Sequence, residues 1–147
     1  DICHDKIVMI RLSGKGGISM NINGVELDFA FYAARNVDMR ERYLNELKDI
    51  TEHIEEEMAA IPDKTEQIKH NCARIRRLFD VTFGEGTGAK VCGTDDDELV
   101  CMEAYETLIR EQIAQSDRYN SANESMLQIG NRAARRAQEK SRKKGRR

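Results

Sequence analysis

The stretch MNINGVELDFAFY, Met20 to Tyr32, decides how the chain begins to fold. Asn23-Gly24 is the strongest two-residue hairpin signal, because both central residues of a type I′ turn need positive φ. Behind the turn, Val25, Leu27 and Phe29 alternate with Glu26 and Asp28, giving a strand one apolar and one wet face. A two-stranded hairpin is marginal alone, so this one is expected to pack on a helix.

Just upstream, SGKGGISMN (Ser13–Asn21) sets Lys15 among Gly14, Gly16 and Gly17. Glycine N–H groups and a lysine can cradle phosphate. A phosphate loop, however, needs a Ser or Thr after the lysine, a four-residue spacer from an earlier glycine, and a helix behind it. This stretch has none of these and runs straight into the hairpin. Codons for Lys15-Gly16-Gly17 can instead spell AAAGGAGG, a bacterial ribosome-binding sequence, with Met20 two codons later. Residues 1–19 are therefore expected to be a non-native or disordered leader, with Met20 as the native start.

Downstream, NVDMRERYLNELKDITEHIEEEMAAIP (36–62) places Leu44, Leu47, Ile50 or Thr51, Ile54, Met58 and Ile61 at three- and four-residue steps. That period predicts a helix of about 23 residues, opened by Asn36 or Asp38 and limited by Pro62. Asp63, with Glu66 three residues on, resembles a capping box for a second helix. Its predicted stripe is Ile68, Cys72, Ile75, Phe79 and Thr82 or Phe83. The short connection around Pro62 favours an antiparallel pair. GEGTG then breaks the chain, and AKVCG is expected to form one helical turn. Asp95, Asp96 and Asp97 open a third helix, whose predicted buried side is Leu99, Met102, Tyr105, Leu108, Ile109 and Ile113.

The expected fold is mainly α: a short N-terminal β-hairpin packed on a small bundle of about three helices, with a disordered or weakly helical basic C-terminal tail. The expected organisation is a leader over 1–19, a hairpin and helical domain over 20–115, and a polar linker and basic tail over 116–147. Composition agrees: 147 residues are 34% charged and 39% hydrophobic, with no Trp and one Pro. No apolar run approaches the roughly 20 residues that span a bilayer, so no membrane role is expected. The net charge of −2 hides an asymmetry. Residues 131–147 carry nine Lys/Arg and one acid, hence +8, which leaves −10 on residues 1–130.

Signals for chemistry are weak. GEGTGAK (84–90) suits an anion by composition, but a glycine-terminated helix and loop need the same glycines. Asp95–Glu98 lacks the alternation and internal glycine of a calcium loop. His4, His53 and His70 have no zinc-protease spacing, and His70 and Cys72 sit nearly opposite each other on one helix. Cys3, Cys72, Cys92 and Cys101 form no C-x-x-C pair and are expected as reduced, mostly packed thiols. No catalytic, cofactor-binding or metal-binding residue is assigned, and an enzyme is not expected. The electrostatic feature of size is the tail, with Arg132, Arg135, Arg136, Lys140, Arg142, Lys143 and Lys144 as candidate partner-binding residues. Neutralising about eight phosphates would give a salt slope of roughly −7 on duplex DNA. The absence of any aromatic residue beyond Tyr119 leaves no stacking platform for single strands.

Three stretches together, MNINGVELDFAFYAARN, RLFDVTFGEGTGAKVCG and NRAARRAQ, resemble small tail assembly chaperones of long-tailed bacteriophages and prophages of Gram-positive bacteria. The resemblance covers roughly residues 20–138 in the same order and includes no catalytic signature. It implies a mostly helical, non-enzymatic protein of the bacterial host cytoplasm, absent from the mature virion. Its implied partners are the apolar, helical tape-measure protein and the tail-tube protein. Self-association is compatible, and such genes often extend the product by frameshifting, for which A-rich codons at Lys143-Lys144-Gly145 can supply a slip site. The alternative is a small nucleic-acid-binding accessory protein acting through residues 131–147.

Overall fold

Asn23 and Gly24 have φ of 52° and 86°, the doubly positive pair that a type I′ turn requires. They join strands β2 (Gly17–Ile22) and β3 (Val25–Asp28) in a computed structural model that describes residues 9–13 and 17–145. Ile22 lies opposite Val25 in the antiparallel register. The Asn21 side chain accepts from the Gly24 N–H at 3.0 Å. Asn23 Nδ2 donates to the Val91 carbonyl at 2.7 Å, tying the turn to a distant helix. A further strand, β1 (Met9–Ser13), pairs antiparallel with β2, Met9 opposite Asn21, so the sheet has three strands in the order β1-β2-β3. Strand pairing therefore begins upstream of Met20. The remainder of the expected leader, residues 1–8 and 14–16, lies outside the described residues.

A 3₁₀ turn (Ala34–Asn36) leads into α1 (Val37–Ala59), and α2 spans Lys64–Phe83. Asp63 caps α2 by accepting from the Glu66 N–H at 3.1 Å, as the capping-box spacing implies. Arg42 meets Val81, Glu46 meets Arg77 and Glu57 meets Arg74. Partners thus run in opposite order along the two helices, which lie antiparallel. The face of α1 that enters the core is Met39, Tyr43 and Ile50, flanked by the partly buried Leu47 and Ile54. Leu44, predicted inside, is 43% exposed. The shift arises because Tyr43 joins an aromatic cluster: its ring lies 5.3 Å from Phe29, which also meets Phe31 and Phe83, each at 5.6 Å. Such edge and tilted pairs add to the area they bury.

The six-residue α3 (Thr87–Cys92) sits directly on α2. A Cβ added at Gly88 would lie 2.3 Å from the Arg76 carbonyl oxygen, so only glycine allows this approach.

The expected basic tail is corrected. The chain is one helix, α4, from Glu98 to Lys144, through the region predicted as a polar linker and a disordered or weakly helical tail. Among the described residues the fold is accordingly a three-stranded sheet with four α-helices, rather than a hairpin with about three. The physical reason lies in composition. Residues 98–144 contain no proline and one glycine, Gly130, and are rich in Ala, Glu, Gln and Arg. Arg142, Lys143 and Lys144 occupy the last turn, where cations meet the negative end of the helix.

The chain divides into two units, Asp1–Gln112 and Ile113–Arg147. The first carries 14 Lys/Arg against 23 Asp/Glu, a net −9, and the second 10 against 3, a net +7. Among the described residues no helix is long and apolar enough to cross a membrane.

Candidate functional site

Two surfaces, one in each unit, stand out. In the first unit the start of α4 turns a different face inward from the one its large apolar residues suggest. Cys101, Ala104 and Leu108 are buried to within 1%. Leu99, predicted inside, is 65% exposed, and Met102 is 48% exposed. The inward residues Cys101 and Ala104 are small, which lets α4 approach the core closely. Their three- and four-residue spacing was a legible signal that hydrophobicity alone outweighed.

Leu99, Met102 and Tyr105 of α4, with Ile50 and Ile54 of α1 and Ile75 of α2, line a groove of about 380 Å³. That volume lies in the range of ligand-binding clefts, ~300–1,000 Å³. Its polar margin is Glu103, Glu106, Asn71 and Arg74. Burial raises the Tyr105 hydroxyl above its ordinary value. Arg74 forms the fixed wall, donating through Nη2 to Asp49 and Glu57, both at 2.8 Å, and through Nη1 to Glu46 at 3.4 Å. Glu46 is 8% exposed and also accepts from Arg77 at 2.9 Å. Burial works against the charge on Arg74, but Asp49 and Glu57 more than offset it and hold its pKa above the ordinary value. In return Arg74 holds the Asp49 carboxyl below its usual range, and His70, then Arg74, does the same for Glu57. A wall so paired stays charged and rigid, while Glu106 is engaged by Arg110 at 2.6 Å. Glu103 makes no ion pair among the described residues.

The second surface is the remainder of α4. Residues 113–144 extend ~48 Å at 1.5 Å per residue and expose Met126, Leu127 and Ile129 at 63%, 57% and 62%. By helical spacing Met126, Ile129, Ala133 and Ala137 form one stripe with Leu127 beside it. All seven candidate partner-binding residues are exposed on this helix. Arg132, Arg136 and Lys143 flank the stripe, Lys140 and Lys144 extend it, and Arg135 and Arg142 lie opposite.

The other sequence candidates have internal roles. The Asp80 carboxylate accepts from the Gly88 N–H at 2.7 Å, so the GEGTG loop already holds an anion of its own chain. Asp97 accepts from the N–H groups of Leu99 and Val100 at 3.1 and 3.3 Å as the cap of α4, and Asp96 pairs with Arg76 at 2.7 Å. His53 contacts the Asp49 carbonyl at 3.0 Å, and His70 pairs with Glu57 at 2.7 Å. Cys72, Cys92 and Cys101 are free and buried. Burial pushes Cys72 up to about 12, Cys92 to about 11 and Cys101 in the same direction, so all three remain thiols at neutral pH. His4 and Cys3 lie outside the described residues. Among the described residues no group of three or more His, Cys, Asp or Glu is placed to hold a metal ion.

A polar cleft of about 540 Å³ opens beside β3. Its Arg35 is bound to Asp28 at 3.0 Å, and its Arg42 donates to the Val81 carbonyl at 2.8 Å. Both guanidinium groups therefore serve the fold.

Residues 23–139 match the model of a family of unknown function, DUF6673, and the chain belongs to that family. No curated protein and no solved structure matches it.

Proposed function

We propose that this family member is a non-enzymatic assembly chaperone of a long-tailed phage or prophage. It acts in the bacterial host cytoplasm, binds the apolar helical tape-measure protein and aids recruitment of tail-tube subunits. The observation that carries the reading is the outer half of α4, a helix that holds Met126, Leu127 and Ile129 in solvent. An exposed apolar stripe on a helix is suited to a second amphipathic helix, read through anchors three and four residues apart. Arg132, Arg136 and Lys143 flank that stripe and Lys140 and Lys144 continue it, which favours a client with acidic flanks. The sequence resemblance supplies the identity of the client.

Co-expression with the neighbouring tape-measure gene tests this. The client is expected in the soluble fraction with the intact chain and in the pellet with Met126→Asp/Ile129→Asp. Equal solubility with and without this protein would remove the reading. A second reading, nucleic-acid binding, is favoured by the seven exposed cations on one helix. It requires a salt-sensitive shift of DNA or RNA that charge removal at Arg132, Arg135 and Arg136 weakens across all sequences alike.

A further inference from the structure

The groove of the first unit and the stripe of the second are complementary in their apolar residues and in the sign of the charges on the α4 side of the groove. The groove offers Ile54, Leu99 and Met102 beneath an acidic margin of Glu103 and Glu106. The outer half of α4 offers Met126, Ile129 and Ala133 beside Arg132 and Arg136. The charge of the chain divides the same way, −9 on the unit that holds the groove and +7 on the unit that holds the stripe. The weak stretch of the outer helix coincides with the stripe: Asn120, Ser121, Asn123, Ser125 and Gly130 are poorer helix formers than the Ala, Gln and Arg around them. A surface to pack on would stabilise that stretch, as tertiary packing does for most helices.

We infer that the outer half of α4 from one copy docks in the α1–α2–α4 groove of a second copy. Met126 and Ile129 enter beside Leu99 and Met102, and Arg132 and Arg136 meet Glu103 and Glu106. Every chain carries both halves of this contact, so the protein self-associates without any other component. The docked state covers the stripe assigned above to the client, which makes client binding and self-association compete. The docking itself does not rest on the client reading, since it stands on the groove and the charge division.

Sedimentation equilibrium of the purified full chain at low salt tests it. The unaltered chain is expected to associate at micromolar concentrations and to weaken at least tenfold as salt rises, because rim charges are screened. Leu99→Asp/Met102→Asp alters the groove, and Met126→Asp/Ile129→Asp alters the stripe; each is expected to weaken association at least tenfold. All four positions are exposed. Glu103→Lys, which loses no ion pair, is expected to weaken it through charge alone and serves if a double variant melts early. The decisive step is mixing: the groove variant keeps its stripe and the stripe variant keeps its groove, so together they should form a one-to-one heterodimer. A chain that stays monomeric, as it would if the helix folded back on its own groove, overturns the inference. So does a groove variant that associates as well as the unaltered chain, the result expected if the outer helices pair only with each other. Heterodimer formation supports it even if the tape-measure co-expression fails, so the two readings fail separately.

Discussion

Replacing Gly88 by alanine tests the least forgiving contact in the first unit. The added Cβ would stand 2.3 Å from the Arg76 carbonyl oxygen, 2.6 Å from its Cα and 2.7 Å from its carbonyl carbon. All three are backbone atoms of α2, so no side chain can swing aside. Restoring ordinary carbon contact requires α3 to retreat by about 1 Å. That movement stretches two 2.7 Å hydrogen bonds, from the Gly88 N–H to Asp80 and from Asn23 to the Val91 carbonyl. It also loosens Val91 and Cys92, which are 1% and 2% exposed. Overpacking costs ~1–3 kcal/mol, and a hydrogen bond to a charged group contributes ~1.5–3 kcal/mol. Since the bond to Asp80 is strained rather than lost, a total of about 3–4 kcal/mol is expected. At ~4 °C per kcal/mol for a unit of this size, Tm should fall by roughly 12–17 °C. Thermal and urea unfolding followed by circular dichroism reads it. Gly130→Ala is the control: beyond the backbone of its own helix turns, nothing lies within 4 Å of its added Cβ, so it should strengthen the outer helix by ~0.5–1 kcal/mol. A Gly88→Ala chain within about 1 kcal/mol of the original would refute the seating of α3 on α2.

Arg74→Met should destabilise the first unit by about 1–2 kcal/mol, because the buried Glu46 keeps Arg77 and Glu57 keeps His70, while the solvent-facing Asp49 and Glu57 lose the guanidinium. Urea unfolding at neutral pH measures this. Asp49, Glu57 and Asp28 are held below their ordinary values of 3.8, 4.5 and 3.8 by Arg74, by His70 with Arg74, and by Arg35. Depressed carboxyls add stability that is complete above those values and lost as pH falls through the folded ones. Tm is therefore expected to hold from neutral pH to about pH 5 and fall below about pH 4, with a shallower fall in Asp49→Asn/Glu57→Gln. In a Cys3→Ser chain, Ellman's reagent should find the thiols of Cys72, Cys92 and Cys101 only after unfolding, since all three are buried.

The parts of the fold legible in the sequence were those set by local chemistry. Asn23-Gly24 announced its turn through the positive φ that both positions need, and Asp63-Glu66 announced the start of α2. What was hidden depends on partners distant in sequence. Glu46 stands in a charged run of sequence, yet it is buried because Arg74 and Arg77 reach it from α2. Leu44, Leu99 and Met102 looked like core, yet Tyr43 and the small Cys101 and Ala104 take the inner positions. The continuity of α4 is masked in the sequence by its dense positive charge, although Arg, Lys, Gln and Ala all favour a helix. The seven cations of the candidate site were legible as a cluster, but the apolar stripe beside them shows its spacing only once the region is helical.

The central claim is that the outer half of α4 binds an apolar helix through Met126 and Ile129. Titrating a purified helical segment of the neighbouring tape-measure protein into the full chain by calorimetry tests it most directly. Burying a methionine and an isoleucine contributes ~1.5–3 kcal/mol each, so Met126→Asp/Ile129→Asp should weaken binding by about a hundredfold or more. Arg135→Gln/Arg142→Gln, on the opposite side of the helix, should change it far less. Equal affinity for the original chain and the stripe variant would contradict the account.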